Sequence, residues 1–251
     1  MFNIGLVSIT FRTLPPEKII TLAHECGLSA IEWGSDVHAP ACNPSRLKLI
    51  KTEMDRLGLY TSSYGTYFRI GENSTDELYD YISAASLLGT KTLRLWCGRK
   101  NYGDMSDCER KFIIEKSKEA ARIAESRGVR LCLECHNKTF TNCLDGALEI
   151  MRGVSSEAFR MYWQPSHLVD EQTNFEYAKA IASYTVNLHV FNHTECGKHP
   201  LSDAADKWKR YLSAFDGSQH LLFEFMPDNS EDSLCGEAKS LSNIIKELNC
   251  I

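Results

Sequence analysis

The sequence predicts an α/β protein: a single (β/α)8 TIM barrel with its active site at the C-terminal strand ends. Short apolar runs alternate with amphipathic segments along the chain, which indicates parallel strands joined by helices. Eight such units occupy the 251 residues, and that length suits a closed barrel. No Gly-x-Gly-x-x-Gly turn follows any run, which disfavours an open dinucleotide-binding sheet. Because no low-complexity linker separates the units, residues 1–251 are expected to form one domain.

The predicted strands are short runs of leucine, β-branched and aromatic side chains. Such near-continuous apolar runs are typical of parallel strands that are covered on both faces. Strands this short also fit the usual length of five or six residues. In chain order, the predicted strands are residues 3–9, 30–33, 59–64, 92–96, 129–134, 159–164, 186–191 and 220–225.

The predicted helices lie between these runs, and several carry boundary signals. Proline stands in the first turn of the first two helices, and glycine follows the last turn of the first four. Proline suits the first helical turn, whereas glycine suits the C-terminal end. In chain order, the predicted helices are residues 15–26, 43–58, 74–89, 106–128, 144–151, 175–182, 204–215 and 237–248.

Composition and charge exclude several classes of partner. The 28 basic and 33 acidic side chains give a formal charge of −5, which disfavours a general nucleic-acid binder. The first residues lack the basic and apolar regions of a signal peptide, and no run reaches the ~18 apolar residues of a membrane helix. We therefore expect a cytoplasmic protein without a nucleic-acid or membrane partner, whose exposed helix faces allow a homo-oligomer.

Cysteine usage agrees with a reducing compartment. The ten cysteines are scattered, and the sequence lacks the paired C-x-x-C motifs of a zinc ribbon. We expect all ten to be reduced. Cys132 and Cys135 form the one C-x-x-C motif, which lies in a predicted strand and is interpreted as two small buried side chains. Redox or metal chemistry is the alternative for this pair.

Polar side chains interrupt or end the last four predicted strands. Glu134 ends the fifth strand and Gln164 the sixth, while His189 and Glu224 lie in the seventh and eighth. An unpaired ionised carboxylate in such an apolar run costs several kcal/mol or takes up a proton. A shared cation removes that cost, and carboxylate, amide and imidazole ligands suit Mn²⁺, Mg²⁺ or Zn²⁺. The sequence therefore predicts one divalent metal ion bound by Glu134, Gln164, His189 and Glu224.

The whole chain resembles the xylose isomerase-like barrels, which include sugar phosphate isomerases and epimerases, ketose 3-epimerases and inosose dehydratases. The resemblance is most specific in Glu134, Gln164, His189 and Glu224, which follow one another at intervals of 30, 25 and 35 residues. The family has an aspartate where this chain has Gln164. The ligand set therefore carries two negative charges instead of three, which should weaken metal retention and leave the ion more electrophilic.

The resemblance implies a metal-dependent isomerase or epimerase that acts on a sugar, sugar phosphate or related polyol through an enediolate intermediate. Glu134 and Glu224 would be the acid/base pair on opposite sides of the substrate carbon. His167, three residues after Gln164, would hydrogen-bond a substrate oxygen and stabilise the developing negative charge. The further substrate-binding residues predicted at the barrel mouth are Trp96, His136, Arg69 and His38.

Other interpretations of the same residues stay open. Dehydration, as in inosose dehydratases, begins with the same proton abstraction and then expels hydroxide. A degenerate barrel that binds a sugar without turnover is suggested by Gln164. An AP endonuclease is disfavoured, because the third predicted strand has no histidine for a three-metal cluster. The structural alternative for Glu134 and Glu224 is an ion pair with a barrel arginine such as Arg94 or Arg130.

Overall fold

The computed structural model describes residues 2–248 and confirms the (β/α)8 barrel. Each barrel strand pairs in parallel with its sequence neighbours, and the last strand pairs with the first to close the barrel. A two-stranded hairpin, His193–Thr194 with Gly197–Lys198, follows the seventh strand. The barrel strands are β1 (Asn3–Val7), β2 (Ala30–Gly34), β3 (Tyr60–Ile70), β4 (Thr92–Cys97), β5 (Arg130–Glu134), β6 (Phe159–Trp163), β7 (Thr185–Val190) and β8 (His220–Phe223).

The helices surround the barrel and end where local chemistry predicts. Ser106 and Glu109 form a capping box at the start of the longest helix, and Gly128 ends it with a left-handed φ of 63°. Across residues 2–248, none of the helices is both long enough and apolar enough to cross a bilayer. The helices are α1 (Pro16–Glu25), α2 (Pro44–Arg56), α3 (Thr75–Leu87), α4 (Asp107–Arg127), α5 (Leu144–Val154), α6 (Glu171–Ile181), α7 (Ala205–Leu212) and α8 (Leu234–Leu248).

Strand β3 is longer than the sequence pattern predicts. It continues to Ile70 instead of ending at residue 64, so the aromatic segment 64–69 is strand and not mouth loop. Threonine and aromatic residues favour this extended backbone. The pairing of β3 with β4 shifts in register between Gly65 and Arg69, which lets the long strand follow the barrel.

The barrel interior differs from the core outside it. The large apolar core lies between strands and helices and includes the fully buried Trp33 and Trp163. A small second cluster of Val7, Cys132, Tyr162 and Leu222 occupies the opposite face of the strands, inside the barrel. Buried charged groups lie in the same interior, towards the C-terminal strand ends. The fold therefore places polar chemistry at the bottom of the barrel mouth.

The prediction that all ten cysteines are reduced is wrong for one pair. Cys26 and Cys235 form a disulfide that joins the end of α1 to the start of α8, across a sequence separation of 209 residues. Only barrel closure brings these two helices together, so no local sequence signal indicates the pair. Cys132 and Cys135 are buried and free, as expected. Cys250 lies outside the described residues.

Candidate active site

The four predicted metal ligands converge at the C-terminal end of the barrel. Glu134 ends β5, Gln164 directly follows β6, His189 lies in β7, and Glu224 directly follows β8. One ligand atom from each of Glu134, His189 and Glu224 lies within 4.8 Å of the other two. The Oε1 atom of Gln164 lies 3.0 Å from His189 Nδ1. Glu224 Oε2 and Glu134 Oε1 are 3.3 and 3.6 Å from the same nitrogen.

A buried salt bridge adjoins this cluster, and sequence reasoning did not assign it to the site. Arg94 Nε donates to Glu32 Oε1 at 2.7 Å, and Arg94 Nη1 donates to Glu134 Oε2 at 2.5 Å. Both Glu32 and Arg94 are essentially inaccessible to solvent. The alternative that Glu134 forms an ion pair with a barrel arginine is therefore correct for Oε2, which contacts Arg94. The other oxygen, Oε1, faces His189. Glu32 and Arg94 each interrupt an apolar run, so the burial argument applied to the other glutamates would have found them.

The charges in this cluster fit a divalent cation. Three carboxylates and one guanidinium leave two negative charges when His189 is neutral, all within buried side chains. Uncompensated buried charge is costly. Burial opposes protonation of His189, yet the carboxylates of Glu224, Glu134 and Glu32 raise its pKa well above the usual value. The donor set of carboxylate and amide oxygens with one imidazole nitrogen is chemically suited to Mn²⁺, Mg²⁺ or Zn²⁺.

The two glutamates predicted as metal ligands have different surroundings. Glu134 Oε2 accepts hydrogen bonds from Arg94 and from Trp96 Nε1, the latter at 2.7 Å. Burial would raise the pKa of Glu134, but Arg94 and His189 lower it well below its usual range. Glu224 accepts no hydrogen bond from an arginine, a tryptophan or the backbone of residues 2–248. The polar contact of its carboxylate is His189 Nδ1, at 3.3 Å.

Glu224 is positioned by an unusual backbone conformation. The next residue, Phe225, has a φ of 71°, which is rare for a bulky side chain. Thr10 stabilises this turn, because its Oγ1 accepts from Phe225 N at 3.1 Å and donates to Phe223 O at 3.2 Å. The backbone nitrogen of Glu224 donates to Val190 O. These contacts hold both flanks of Glu224, and nothing in the sequence pattern indicated them.

A cavity of about 310 Å³ lies at the barrel mouth beside the ligand cluster. Its volume is suited to a small molecule. Aromatic side chains form part of its wall, and the acidic cluster contributes polar groups. A second cavity of about 400 Å³ adjoins it and shares Phe191, His167 and His193. The side chains that line the first cavity include Tyr67, Trp96, Glu134, His136, Gln164, His167, Phe191, Glu224 and Phe225.

Three of the predicted substrate-contacting residues line this cavity: Trp96, His136 and His167. Trp96 is half-buried, whereas both histidines are exposed. His136 Nδ1 lies 2.7 Å from the carbonyl oxygen of Asn137. Because a carbonyl only accepts hydrogen bonds, Nδ1 carries a hydrogen, so in the neutral ring the lone pair is on Nε2. The ring of His167 lies 5.1 Å from that of His193, measured between centroids.

Arg69 and His38, the other two residues predicted to contact substrate, are not among the residues that line this cavity. The Arg69 guanidinium stacks 4.5 Å from the Trp96 ring centroid and donates to Gly98 O at 2.8 Å. Arg69 therefore supports Trp96 from β3. His38 is fully buried, and its Nδ1 lies 3.0 Å from Ser8 Oγ. Its position after β2 suggested a mouth residue, but the loop turns the ring into the protein.

Comparison with known proteins gives relatives across the whole length. A 3-dehydroshikimate dehydratase of Bacillus anthracis is 21% identical over 273 aligned residues, which cover 96% of each chain. The solved structure of a probable 3-DHS dehydratase from that organism has a TM-score of 0.79 and 17% identity, covering 97% of this chain and 99% of its own.

Two further solved structures share the fold. The D-allulose 3-epimerase of Methylomonas sp. has a TM-score of 0.73 and 17% identity over 98% of each chain. A xylose isomerase-like barrel protein of Mycobacterium smegmatis, solved with magnesium, has a TM-score of 0.73 and 15% identity, covering 99% of this chain and 98% of its own. The model of the family described as xylose isomerase-like TIM barrel matches residues 20–248. The chain therefore belongs to the xylose isomerase-like TIM barrel family.

Proposed function

We propose that the protein is a divalent-metal-dependent isomerase or epimerase that acts on a sugar, sugar phosphate or related polyol. The observation that carries the proposal is the convergence of Glu134, Gln164, His189 and Glu224 beside the mouth cavity. A divalent cation at this point would polarise a substrate carbonyl and stabilise the negative charge left when the adjacent carbon loses its proton. The epimerase among the structural relatives agrees with this chemistry.

Glu224 is the proposed general base. Its carboxylate lines the cavity and, unlike that of Glu134, is not engaged by an arginine or a tryptophan. It would remove the proton from the carbon next to the substrate carbonyl. His167 would donate a hydrogen bond to a substrate oxygen, and the face of Trp96 would pack against the apolar side of the sugar.

His136, instead of Glu134, would take the second acid/base role. Epimerisation needs groups on both faces of the carbon, one to remove the proton and one to return it. Glu134 Oε2 already accepts two hydrogen bonds, and its pKa is lowered, so Glu134 is a poor proton acceptor. His136 lines the same cavity, and the Nε2 atom of its neutral ring would serve as the proton acceptor. Glu134 then acts as a metal ligand that stays ionised.

A second candidate function is dehydration. It is favoured by the difference between Glu134, which accepts hydrogen bonds from Arg94 and Trp96, and Glu224, which does not. Dehydration needs one base for the C–H proton and one acid that protonates the departing hydroxyl, so that water leaves and a carbon–carbon double bond forms. Glu224 and a protonated His136 could serve in these roles. A dehydratase is also among the relatives, at 21% identity.

Solvent exchange with product analysis tests both candidates. The protein is incubated with Mn²⁺ in D₂O with ketoses, their phosphates, inosose and 3-dehydroshikimate. Isomerisation or epimerisation is expected to yield a product of the substrate's composition that carries one carbon-bound deuterium, whereas dehydration removes the mass of water. The Glu224→Gln variant, checked for folding by circular dichroism, is expected to do neither. Absence of exchange and of dehydration with every compound would contradict both functions.

A further inference from the structure

The second ring nitrogen of His189 faces a different carboxylate from the first. Its Nε2 atom is buried and has no hydrogen-bond partner among residues 2–248. The carboxylate oxygen that approaches it is Glu32 Oε2, at 3.6 Å. The oxygens of Gln164, Glu134 and Glu224 all approach Nδ1 instead. Glu32 therefore lies on the side of the ring opposite the predicted metal ligands.

The carboxylate of Glu32 is fixed in its orientation by neighbours from two strands, β3 and β4. Its Oε1 accepts from Arg94 Nε at 2.7 Å, and its Oε2 accepts from Ser63 Oγ at 2.9 Å. Space for this pair depends on a glycine. A Cβ atom at Gly65 would lie 2.7 Å from Glu32 Oε1 and 2.8 Å from Arg94 Nη2. Glu32 itself is completely buried.

We propose that Glu32 is a positioning residue of the metal centre: when a divalent ion binds Nδ1 of His189 in place of the hydrogen that is directed at Gln164 Oε1, the charge of Glu32 keeps a hydrogen on Nε2. A negative charge beside Nε2 stabilises an N–H group there, and the tautomer of a metal-binding histidine is set by the partner of its other nitrogen. Arg94 donates hydrogen bonds to both Glu32 and Glu134. One guanidinium therefore fixes the position of Glu32, which faces His189, relative to the carboxylate of Glu134.

This inference rests on the metal centre in the proposed function, but it can fail separately. If Glu32 serves only as the counter-ion of Arg94, its neutralisation changes the stability of the protein and leaves the metal affinity of the folded protein unchanged. If Glu32 positions His189, metal affinity falls even though Glu32 is not a ligand. Metal binding without substrate distinguishes the two.

The experiment is calorimetric titration of Mn²⁺ into the full chain and three variants. Glu32→Gln is expected to weaken binding at least about tenfold, the usual effect of removing a partner of a metal ligand. Glu32→Asp keeps the charge and is expected to recover part of the affinity. Ser63→Ala, the matched control, removes one hydrogen bond to the same carboxylate and should change the affinity less than Glu32→Gln. Wild-type affinity in folded Glu32→Gln would overturn the proposal.

A measurement on the unmodified protein covers the case in which Glu32→Gln does not fold. With ¹⁵N-labelled histidine and Zn²⁺, nuclear magnetic resonance is expected to show His189 with a hydrogen on Nε2 and the metal on Nδ1. Zinc on Nε2, or an Nε2 without hydrogen, would overturn the positioning role. Failure of the wild type to bind Mn²⁺ or Zn²⁺ would instead overturn the metal-dependent function and this inference with it.

Discussion

Gln164 differs in charge from the aspartate expected at this position, yet it still directs an oxygen towards the other predicted metal ligands. Its Nε2 donates to the carbonyl oxygen of Cys135 at 3.0 Å, and its Oε1 lies 3.0 Å from His189 Nδ1. The first bond fixes the orientation of the amide, because only the NH₂ group can donate to a carbonyl. A carboxylate could not make this bond. The glutamine is thus held in place as an uncharged oxygen donor.

Replacing Gln164 with aspartate should tighten metal binding. The added negative charge is expected to lower the Kd for Mn²⁺ about tenfold, or ~1.4 kcal/mol. Calorimetric titration measures the change. The Gln164→Asn variant is the control, since asparagine has the length of aspartate without its charge. Equal Mn²⁺ affinity in the two variants would show that residue 164 does not coordinate the ion.

The absence of a side chain at Gly65 leaves room for the buried pair of Glu32 and Arg94. In Gly65→Ala, the new methyl group overlaps both side chains of this buried pair. We expect the free energy of unfolding to fall by about 1–3 kcal/mol, the usual effect of overpacking. Denaturant unfolding gives the value. Gly103→Ala is the control, because no neighbour lies within 4 Å of its added Cβ. A loss in Gly65→Ala no larger than that in Gly103→Ala would contradict the close packing.

At the scale of elements, the barrel is closed by contacts between the two ends of the chain. Strands β1 and β8 pair in parallel, with Leu6 opposite Phe223. Outside them, α1 and the start of α8 are joined by the Cys26–Cys235 disulfide. Lys18 Nζ lies 3.3 Å from Glu231 Oε1 just before α8, an exposed pair that contributes little to stability. The disulfide is therefore the main covalent constraint on this closure.

Reduction of this disulfide should destabilise the protein. The bond closes a long loop of the unfolded chain, so its loss is expected to lower the free energy of unfolding by about 2–4 kcal/mol. Urea unfolding with and without a reductant measures the difference. Cys26→Ser should show the lower stability under both conditions, whereas Cys42→Ser, at an exposed free cysteine, should behave as the wild type. A midpoint that does not respond to the reductant would contradict the prediction.

At the scale of the whole molecule, parallel topology explains which parts the sequence could predict. Glu134, His189 and Glu224 lie at or next to the ends of apolar runs, and a barrel brings all such ends to one mouth. Once eight strand–helix units are recognised in the sequence, the convergence of these three side chains follows from the barrel fold. The contact of Glu32 with His189 depends on register, and the pairing of β2 with β3 shifts between Ile31 and Glu32. Such a shift changes which residues face inward, and composition does not reveal it.

Polar side chains inside the barrel form hydrogen bonds between its N-terminal end and the acidic cluster, although most of the surrounding strand residues are apolar. His220 Nδ1 lies 2.9 Å from Asn187 Oδ1, and Asn187 Nδ2 donates to Tyr162 Oη at 2.6 Å. Asn187 Nδ2 also lies 3.4 Å from Ser63 Oγ, which donates to Glu32. Hydrogen bonds thus extend from the N-terminal strand ends towards the acidic cluster. The barrel interior therefore contains a hydrogen-bond network in addition to its packed apolar side chains.

The excess of buried negative charge predicts that a bound cation stabilises the whole molecule. Three carboxylates oppose one guanidinium in the cluster, so an ion that binds only the folded state should raise the free energy of unfolding. At a free concentration of one hundred times Kd, the rise is about 2.7 kcal/mol. Thermal unfolding with Mn²⁺, Mg²⁺ or Zn²⁺, against a chelator-treated sample, measures it as an increase in Tm.

Two variants separate this effect from general ion binding. Glu224→Gln removes one buried ligand charge and is expected to lose most of the increase in Tm. Glu109→Gln removes an exposed carboxylate at the start of α4 and should keep the increase, although it weakens the helix cap. If none of the three ions raises the Tm of the wild type, the cluster does not bind a divalent ion in the folded protein. An equal increase in both variants would place the ion elsewhere on the protein.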